Sequence, residues 1–346
     1  MLLGRVLWAA DPSRVLALLG SVGFGGLLLV LAPALVALSL ESLGWKLAFA
    51  VAGTKPRWRS LLRVRLATEA LAQSLPLGVA FCESVKPLLL ERQCGLTVDQ
   101  SVAGMTARKV LLLLSQCLYV VTFGLLGFTG LEQASRAVMG APHLGFLTLG
   151  AGLLLGLMGV GAALVLRQSN FARGALGLLR ALPFARVRGF IAREERWFAA
   201  TDGAVSSFFR ADYRRFALPL LCFTAGWLVE SLETWLILTV LGAPVSFATA
   251  GSLEVVVSLV RNVVFVVPAG LGVQDVGYAA CFAALGVPEA ASTGAAFVLL
   301  KRGKELCWIA VGYSLLCSAL GDLKHDPPLE RRRATPTRPQ LAPHPG

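Results

Sequence analysis

The chain is predicted to be an all-α, polytopic integral membrane protein with broken or re-entrant helices and an inverted repeat. Three observations predict this class. Of 346 residues, 56% are hydrophobic and only 15% are charged, too few charges to cover a soluble domain of this size. Apolar runs long enough to cross about 30 Å of hydrocarbon recur from end to end, where a β-barrel would show short alternating segments. Two prolines, Pro76 and Pro268, each interrupt such a run and are followed two residues on by glycine, in Leu75-Pro76-Leu77-Gly78 and Val267-Pro268-Ala269-Gly270.

The elements follow in order. Met1–Asp11 offers no cleavable signal, because the apolar run behind it is long enough to be a retained span. The first span runs from about Val15 to Leu40 and extends to Ala52 as one long helix, with Trp45 and Lys46 at an interface. A basic stretch follows (Lys55, Arg57, Arg59, Arg63, Arg65). Two short segments, Leu61–Leu75 and Val79–Gln93, are hinged at Pro76-Leu77-Gly78. Spans at Val98–Gly127 and Leu144–Leu166 are joined by an external loop whose only charges are Glu132 and Arg136.

Residues 167–215 break the pattern, with ten Arg against four acids interleaved with Phe190, Trp197, Phe198, Phe208 and Phe209. This composition suits amphipathic helices on the cytoplasmic interface, against anionic lipid headgroups. A span at Phe216–Leu241 leads to the last module. That module is Ser246–Val267, a break at Pro268–Gly272, a short helix to Leu285, and a long segment Glu289–Leu320. The reading divides the chain into a membrane domain, 1–320, and a disordered, basic, proline-rich cytoplasmic tail, 321–346.

The net charge of +12 follows the positive-inside rule. The basic residues are dispersed and no nucleic-acid motif accompanies them, so no nucleic-acid partner is expected. Seven cysteines form no CxxC pair and no metal-spaced cluster, so they read as small buried hydrophobes. The three histidines (His143, His325, His344) lie in a loop and the tail, which excludes histidine-based acid–base or nucleophilic chemistry in the membrane. Gly270-Leu271-Gly272 lacks the strand and the downstream Gly-Lys-Ser of a nucleotide loop. No enzyme activity, cofactor or metal is expected. Gly152 and Gly156 are spaced for close helix packing.

The two halves keep step. Each proline has a carboxylate seven residues later (Glu83, Asp275) and a charge seven residues earlier (Glu69, Arg261). Lys109 and Lys301 both stand thirty-three residues after their prolines, in the pairs Arg108-Lys109 and Lys301-Arg302. Three spans separate the modules, so the second enters from the opposite face, which is the arithmetic of an inverted repeat. Broken helices in corresponding positions point to a transport site at the bilayer midplane. Unpaired backbone at that depth survives only within protein or beside a wet cavity. Half-helix N-termini near Gly78 and Gly270 are suited to a phosphate or carboxylate.

Several charges share helix faces: Arg65 with Glu69, Glu83 with Lys86, Glu254 with Arg261, and Lys301 with Glu305. Such pairs either neutralise one another inside a bundle or line a polar pathway. On the second reading, Lys86, Arg108, Lys109, Arg261, Lys301 and Arg302 form a cationic track for an anionic headgroup. Glu69, Glu83 and Asp275 then balance them or carry protons. Glu230 and Glu233 are candidates for a proton or cation relay, with helix-end placement or pairing as the alternative.

The run Val267-Pro268-Ala269-Gly270-Leu271-Gly272-Val273-Gln274-Asp275-Val276-Gly277, with Leu285-Gly286-Val287-Pro288 and Leu300-Lys301-Arg302-Gly303-Lys304-Glu305-Leu306, resembles the transmembrane domain of lysylphosphatidylglycerol synthases. Trp45-Lys46, Arg65, Glu69 and Leu75-Pro76 are similar to its early region. The resemblance covers about residues 15–320. Phe81-Cys82 stands where the family has Gly-Gly. No soluble acyltransferase domain follows Leu320, so aminoacyl-lipid synthesis is not implied. The family's transmembrane domain also occurs alone in flippase-like proteins, including a hopanoid-associated branch. The resemblance implies a helical integral protein of the bacterial inner membrane that moves a lipid or lipid-linked substrate. An intramembrane enzyme on a lipid-linked substrate and a non-transporting scaffold are the alternatives.

Overall fold

The computed structural model describes residues 11–51, 53–168, 203, 205–206, 208–210, 212, 214–263, 272–284, 287 and 289–321. Pro268, Gly270, most of 167–215 and the tail beyond 321 lie outside them. The expected second hinge, the interfacial helices and the disordered tail are therefore not described.

Eleven helices make up the described bundle: α1 (Pro12–Ser21), α2 (Gly23–Val51), α3 (Trp58–Ser74), α4 (Gly78–Cys94), α5 (Val98–Leu126), α6 (Phe128–Met139), α7 (Leu144–Arg167), α8 (Arg214–Val240), α9 (Phe247–Val263), α10 (Val273–Ala284) and α11 (Ala290–Gly321). No strand occurs among the described residues. The chain is an all-α polytopic membrane protein, and α2, α5, α7 and α8 are each long and apolar enough to cross a bilayer. The element order repeats. Two helices and then a longer one, of 17, 17 and 29 residues, appear as α3, α4 and α5, and again, of 17, 12 and 32 residues, as α9, α10 and α11.

The first break forms where Pro76 predicts it. The residue before a proline is pushed out of the α region, and Leu75 is extended. Leu77 then takes a left-handed φ of 54°, rare for a branched side chain. The chain turns so tightly that a Cβ on Gly78 would overlap the Leu71 carbonyl oxygen and come within 2.6 Å of that of Ala72. Only glycine fits there.

Three expectations need correction. The span from Val15 is two helices, because the chain turns at Gly23, whose φ is +59°. The segment after α5, expected to be an external loop, is largely a helix. In it, Glu132 turns inward and accepts a hydrogen bond from Gly145 N–H (2.8 Å), satisfying an orphan donor in the first turn of α7. Ser135 Oγ likewise accepts from His143 and Leu144 N–H. Glu132 is thus a buried cap rather than a loop charge. Trp45, expected at an interface, is fully buried.

Small residues set the helix distances. A Cβ on Gly152 would meet Val120 at 2.9 Å, one on Gly156 would meet the Cys117 sulfur at 2.7 Å, and one on Gly159 would meet Leu114 at 2.8 Å. These approaches seat α7 on α5, as the glycine spacing predicts. Two apolar clusters divide most of the core. One gathers Trp45, Phe49, Leu61, Leu89, Phe208 and Phe223. The other gathers Val15, Ile237, Tyr278, Phe282 and Phe297.

Candidate functional site

The close seam between α2 and α8 places the first charge. A Cβ on Gly44 would lie 3.1 Å from Cys222 and Phe223, and one on Gly26 would lie 3.1 Å from Val240, so the two helices run antiparallel. Glu41 therefore stands against Gly226, the thirteenth residue of the 27-residue α8, near mid-span. A carboxylate at that depth is costly unless it is paired. Glu41 Oε2 accepts from Arg65 Nε (3.1 Å) and Arg108 Nη2 (2.8 Å). Arg65 also bonds Glu69, and Gln73 Nε2 donates to Glu69 Oε1 (2.8 Å). Residues 65, 69 and 73 recur at one-turn spacing and form one stripe of α3. The Arg108 guanidinium lies 5.7 Å from the Trp45 ring centre, and Trp45 Nε1 donates to the Gly104 carbonyl (3.1 Å).

A second network spans α8 to α11. Glu254, 3% exposed, accepts from Thr234 Oγ1, from Lys301 Nζ and from the Tyr278 hydroxyl (2.6 Å). Lys301 also donates to the Tyr278 hydroxyl (2.7 Å) and lies over the Tyr278 and Phe297 rings. Lys304 donates to Glu233 (2.6 Å). Arg261 meets Glu230 at 3.5 Å, with side chains 42% and 34% exposed, the longest and most open pair inside this network. Arg302 binds both Asp275 (2.7 Å) and Glu305 (2.6 Å). The other Asp275 oxygen accepts from Gly272 N–H (2.9 Å), so this carboxylate caps α10.

The two networks meet at a cavity of about 130 Å³. Of the predicted site residues, Arg65, Glu69, Glu230, Glu233, Glu254, Arg261, Gln274, Lys301 and Glu305 line it. Glu83, Lys86, Arg108, Lys109, Gly272, Asp275 and Arg302 do not, nor do Pro76 and Gly78. Lys86 and Lys109 share Glu83 elsewhere. Every cation of the expected track is held by a carboxylate, so the track is a chain of ion pairs. The lining itself carries six carboxylates (Glu41, Glu69, Glu230, Glu233, Glu254, Glu305) against four cations (Arg65, Arg261, Lys301, Lys304).

Two same-face pairings are re-sorted. Glu254 binds Lys301 on a neighbouring helix instead of Arg261, and with Lys301 so engaged Glu305 binds Arg302, three residues back on its own helix. Lys109 and Lys301, matched in sequence, differ in place: their side chains are 58% and 14% exposed. The α4 N-terminus is also less open than expected, since Gly78 N–H is bound to the Leu75 carbonyl (2.9 Å).

Sequence reasoning missed Glu41, Gln73, Tyr278, Lys304 and Trp308, all of which line the cavity. A lone acid inside an apolar run would have flagged Glu41, and the one-turn step from Glu69 would have flagged Gln73. No sequence signal marks Tyr278 or Trp308. A larger cavity, about 280 Å³, lies among Leu126, Thr129, Gln133, Thr249, Ser252 and Cys281 and has no acid or base in its lining. The smaller cavity is the one with chemistry. Among the described residues no group of three or more His, Cys, Asp or Glu could hold a metal ion.

One family model, described as the lysylphosphatidylglycerol synthase TM region, matches residues 1–307. No curated protein and no solved structure matches the chain.

Proposed function

The chain belongs to the lysylphosphatidylglycerol synthase transmembrane family, and on that premise we propose that it moves a lipid or lipid-linked substrate between the leaflets of the bacterial inner membrane. The substrate's polar headgroup passes through the ion-paired cavity while its chains stay in hydrocarbon, and no bond of the substrate is broken. The observation that carries this reading is the cavity itself. Five helices from both halves of the chain spend ten charged side chains on one small volume, some of them at mid-span. Ionisable groups at such depth mark substrate or ion pathways.

The Arg261–Glu230 pair is where a headgroup enters. It is the longest and most solvent-open contact of the lining, so its partners exchange most easily. A substrate that drew Lys301 away from Glu254 instead would also have to break the Lys301 hydrogen bond to the Tyr278 hydroxyl (2.7 Å) and leave the two ring faces beneath it. The carboxylate excess argues against a purely anionic headgroup, which would compete with Glu residues for cations already taken. The basic segment 167–215 and the tail are then cytoplasmic and rest on anionic lipid.

Reconstitution tests the reading. Purified protein in liposomes carrying a headgroup-labelled lipid in both leaflets should make the inner-leaflet label accessible to an impermeant quencher within minutes. Arg261→Gln should slow this at least tenfold while the protein stays folded. No acceleration over empty liposomes for any of a panel of anionic, zwitterionic and uncharged lipids would refute the proposal.

A further inference from the structure

The larger cavity, about 280 Å³, shares no lining residue with the ion-paired one, yet both use α9. Glu254 and Arg261, seven residues apart, line the ion-paired cavity. Thr249, Ser252, Leu253 and Val256 recur at steps of three and four, form a second stripe of the helix, and line the larger cavity. That stripe runs beside the last turns of the spanning helix α5, which ends at Leu126. Ser252 Oγ reaches the Phe123 carbonyl (3.0 Å), and Val255 packs with Tyr119, Val120 and Phe123. From Ser246 to Val256 the lining covers about 15 Å of helix. One leaflet's share of a hydrocarbon core about 30 Å thick is just as deep.

The polarity of the lining identifies the occupant. No acid or base lines the cavity, so nothing there holds a charged headgroup. Its serine hydroxyls are spent within the protein. Ser246 and Thr249 bond each other (2.8 Å), and Ser252 donates to the carbonyls of Phe123 and Ala248. A buried water needs two to four polar partners, and these groups are already engaged. Thr129 and Gln133 are exposed at the rim. Leu126 belongs to the lining and is 62% exposed on a spanning helix, so the cavity opens toward lipid. An apolar cavity of about 150 Å³ takes one benzene, so this volume has room for a chain of roughly ten carbons. We infer that the cavity holds one hydrocarbon chain of a bilayer lipid, drawn from the leaflet at the α6 end of α5. The carbonyl end of the chain lies at the Thr129 and Gln133 rim, and its methyl end lies against Val256 and Cys281. The chain is a wedge between α5, α6 and α9, whatever lipid the protein moves.

The experiment places the full-length protein in nanodiscs of phosphatidylcholine doped with a photoreactive phosphatidylcholine. Its diazirine stands either near the chain carbonyl or near the chain methyl. After irradiation, adducts are mapped by proteolysis and mass spectrometry. The methyl-end probe should mark Leu253, Val256 and Cys281, and the carbonyl-end probe should mark Thr129 and Gln133. Leu153 and Leu157, 61% and 72% exposed on α7, report ordinary bilayer contact. Ala248→Phe and Val256→Trp fill the cavity. Each should abolish the adducts at Leu253 and Cys281 and leave those at Leu153 and Leu157 unchanged. A charged, water-soluble methanethiosulfonate should leave Cys281 unmodified in the same nanodiscs.

No adducts on the cavity lining of the wild type would overturn the assignment, as would the same pattern from both probes. Adducts at Leu253 and Cys281 that persist in a folded filled variant would also overturn it. Modification of Cys281 by the charged reagent would show a water-filled cavity instead. If neither variant folds, the depth comparison on the wild type decides alone. None of these outcomes depends on movement of lipid between leaflets, so the transport reading stands or falls separately.

Discussion

Replacing Glu254 with leucine should destabilise the protein more than replacing its ion-pair partner Lys301 with methionine. The asymmetry follows from what each change leaves behind. Glu254→Leu leaves an ammonium whose side chain is 14% exposed, with the Tyr278 hydroxyl and two aromatic faces for company. Stranding one member of a buried pair costs about 3–5 kcal/mol, and the ring faces return about 1–2 kcal/mol of that. Lys301→Met leaves a carboxylate that still accepts from Thr234 and Tyr278. Hydrogen bonds to a charged group contribute about 1.5–3 kcal/mol each, so the net loss should be only about 1–2 kcal/mol. The double variant removes both charges and should be more stable than Glu254→Leu alone. Thermal and denaturant unfolding of the detergent-solubilised protein, followed by tryptophan fluorescence, gives the four corners of the cycle. The reasoning fails if Lys301→Met is the more damaging single change, or if the double variant is no more stable than Glu254→Leu.

Other predictions follow from local geometry. Gly78→Ala should cost about 1–3 kcal/mol of stability by overpacking, because the added methyl meets two carbonyls of α3; Gly150→Ala, with nothing within 4 Å, should unfold like wild type in the same assay. Glu132→Ala should lose about 1–2 kcal/mol with its cap on α7, and Glu132→Gln, which keeps an acceptor, should lose less than half of that by thermal unfolding. Arg14→Ala removes a pair whose side chains are 50% and 52% exposed, and its thermal unfolding should be indistinguishable from wild type, as for surface ion pairs generally.

The parts legible in the sequence were those set by local chemistry. Pro76 broke its helix because a proline constrains its predecessor and cannot donate, whatever surrounds it. The stripe from Arg65 to Glu69 was readable because a helical turn puts those positions side by side. The helix α6 was not, because its organising contact joins Glu132 to a backbone N–H on the next helix. Trp45 looked interfacial for a similar reason. An indole beside a lysine suits a membrane surface, but its Nε1 donates to the Gly104 carbonyl on another helix, which packs close because the Phe49 ring fills the space a Cβ on Gly104 would need.

By itself the sequence determined that this chain is a bundle of membrane helices, that its charges lie within that bundle, and where one helix must break. Hydropathy and proline geometry act over a few residues and leave no choice in these matters. Only the tertiary structure decided which carboxylate each cation meets. Ionic attraction is blind to chain order, and a residue four positions away loses to one on a neighbouring helix that packing brings nearer. That is why Glu254 holds Lys301, Glu230 holds Arg261, and the pairs enclose one small cavity that draws on both halves.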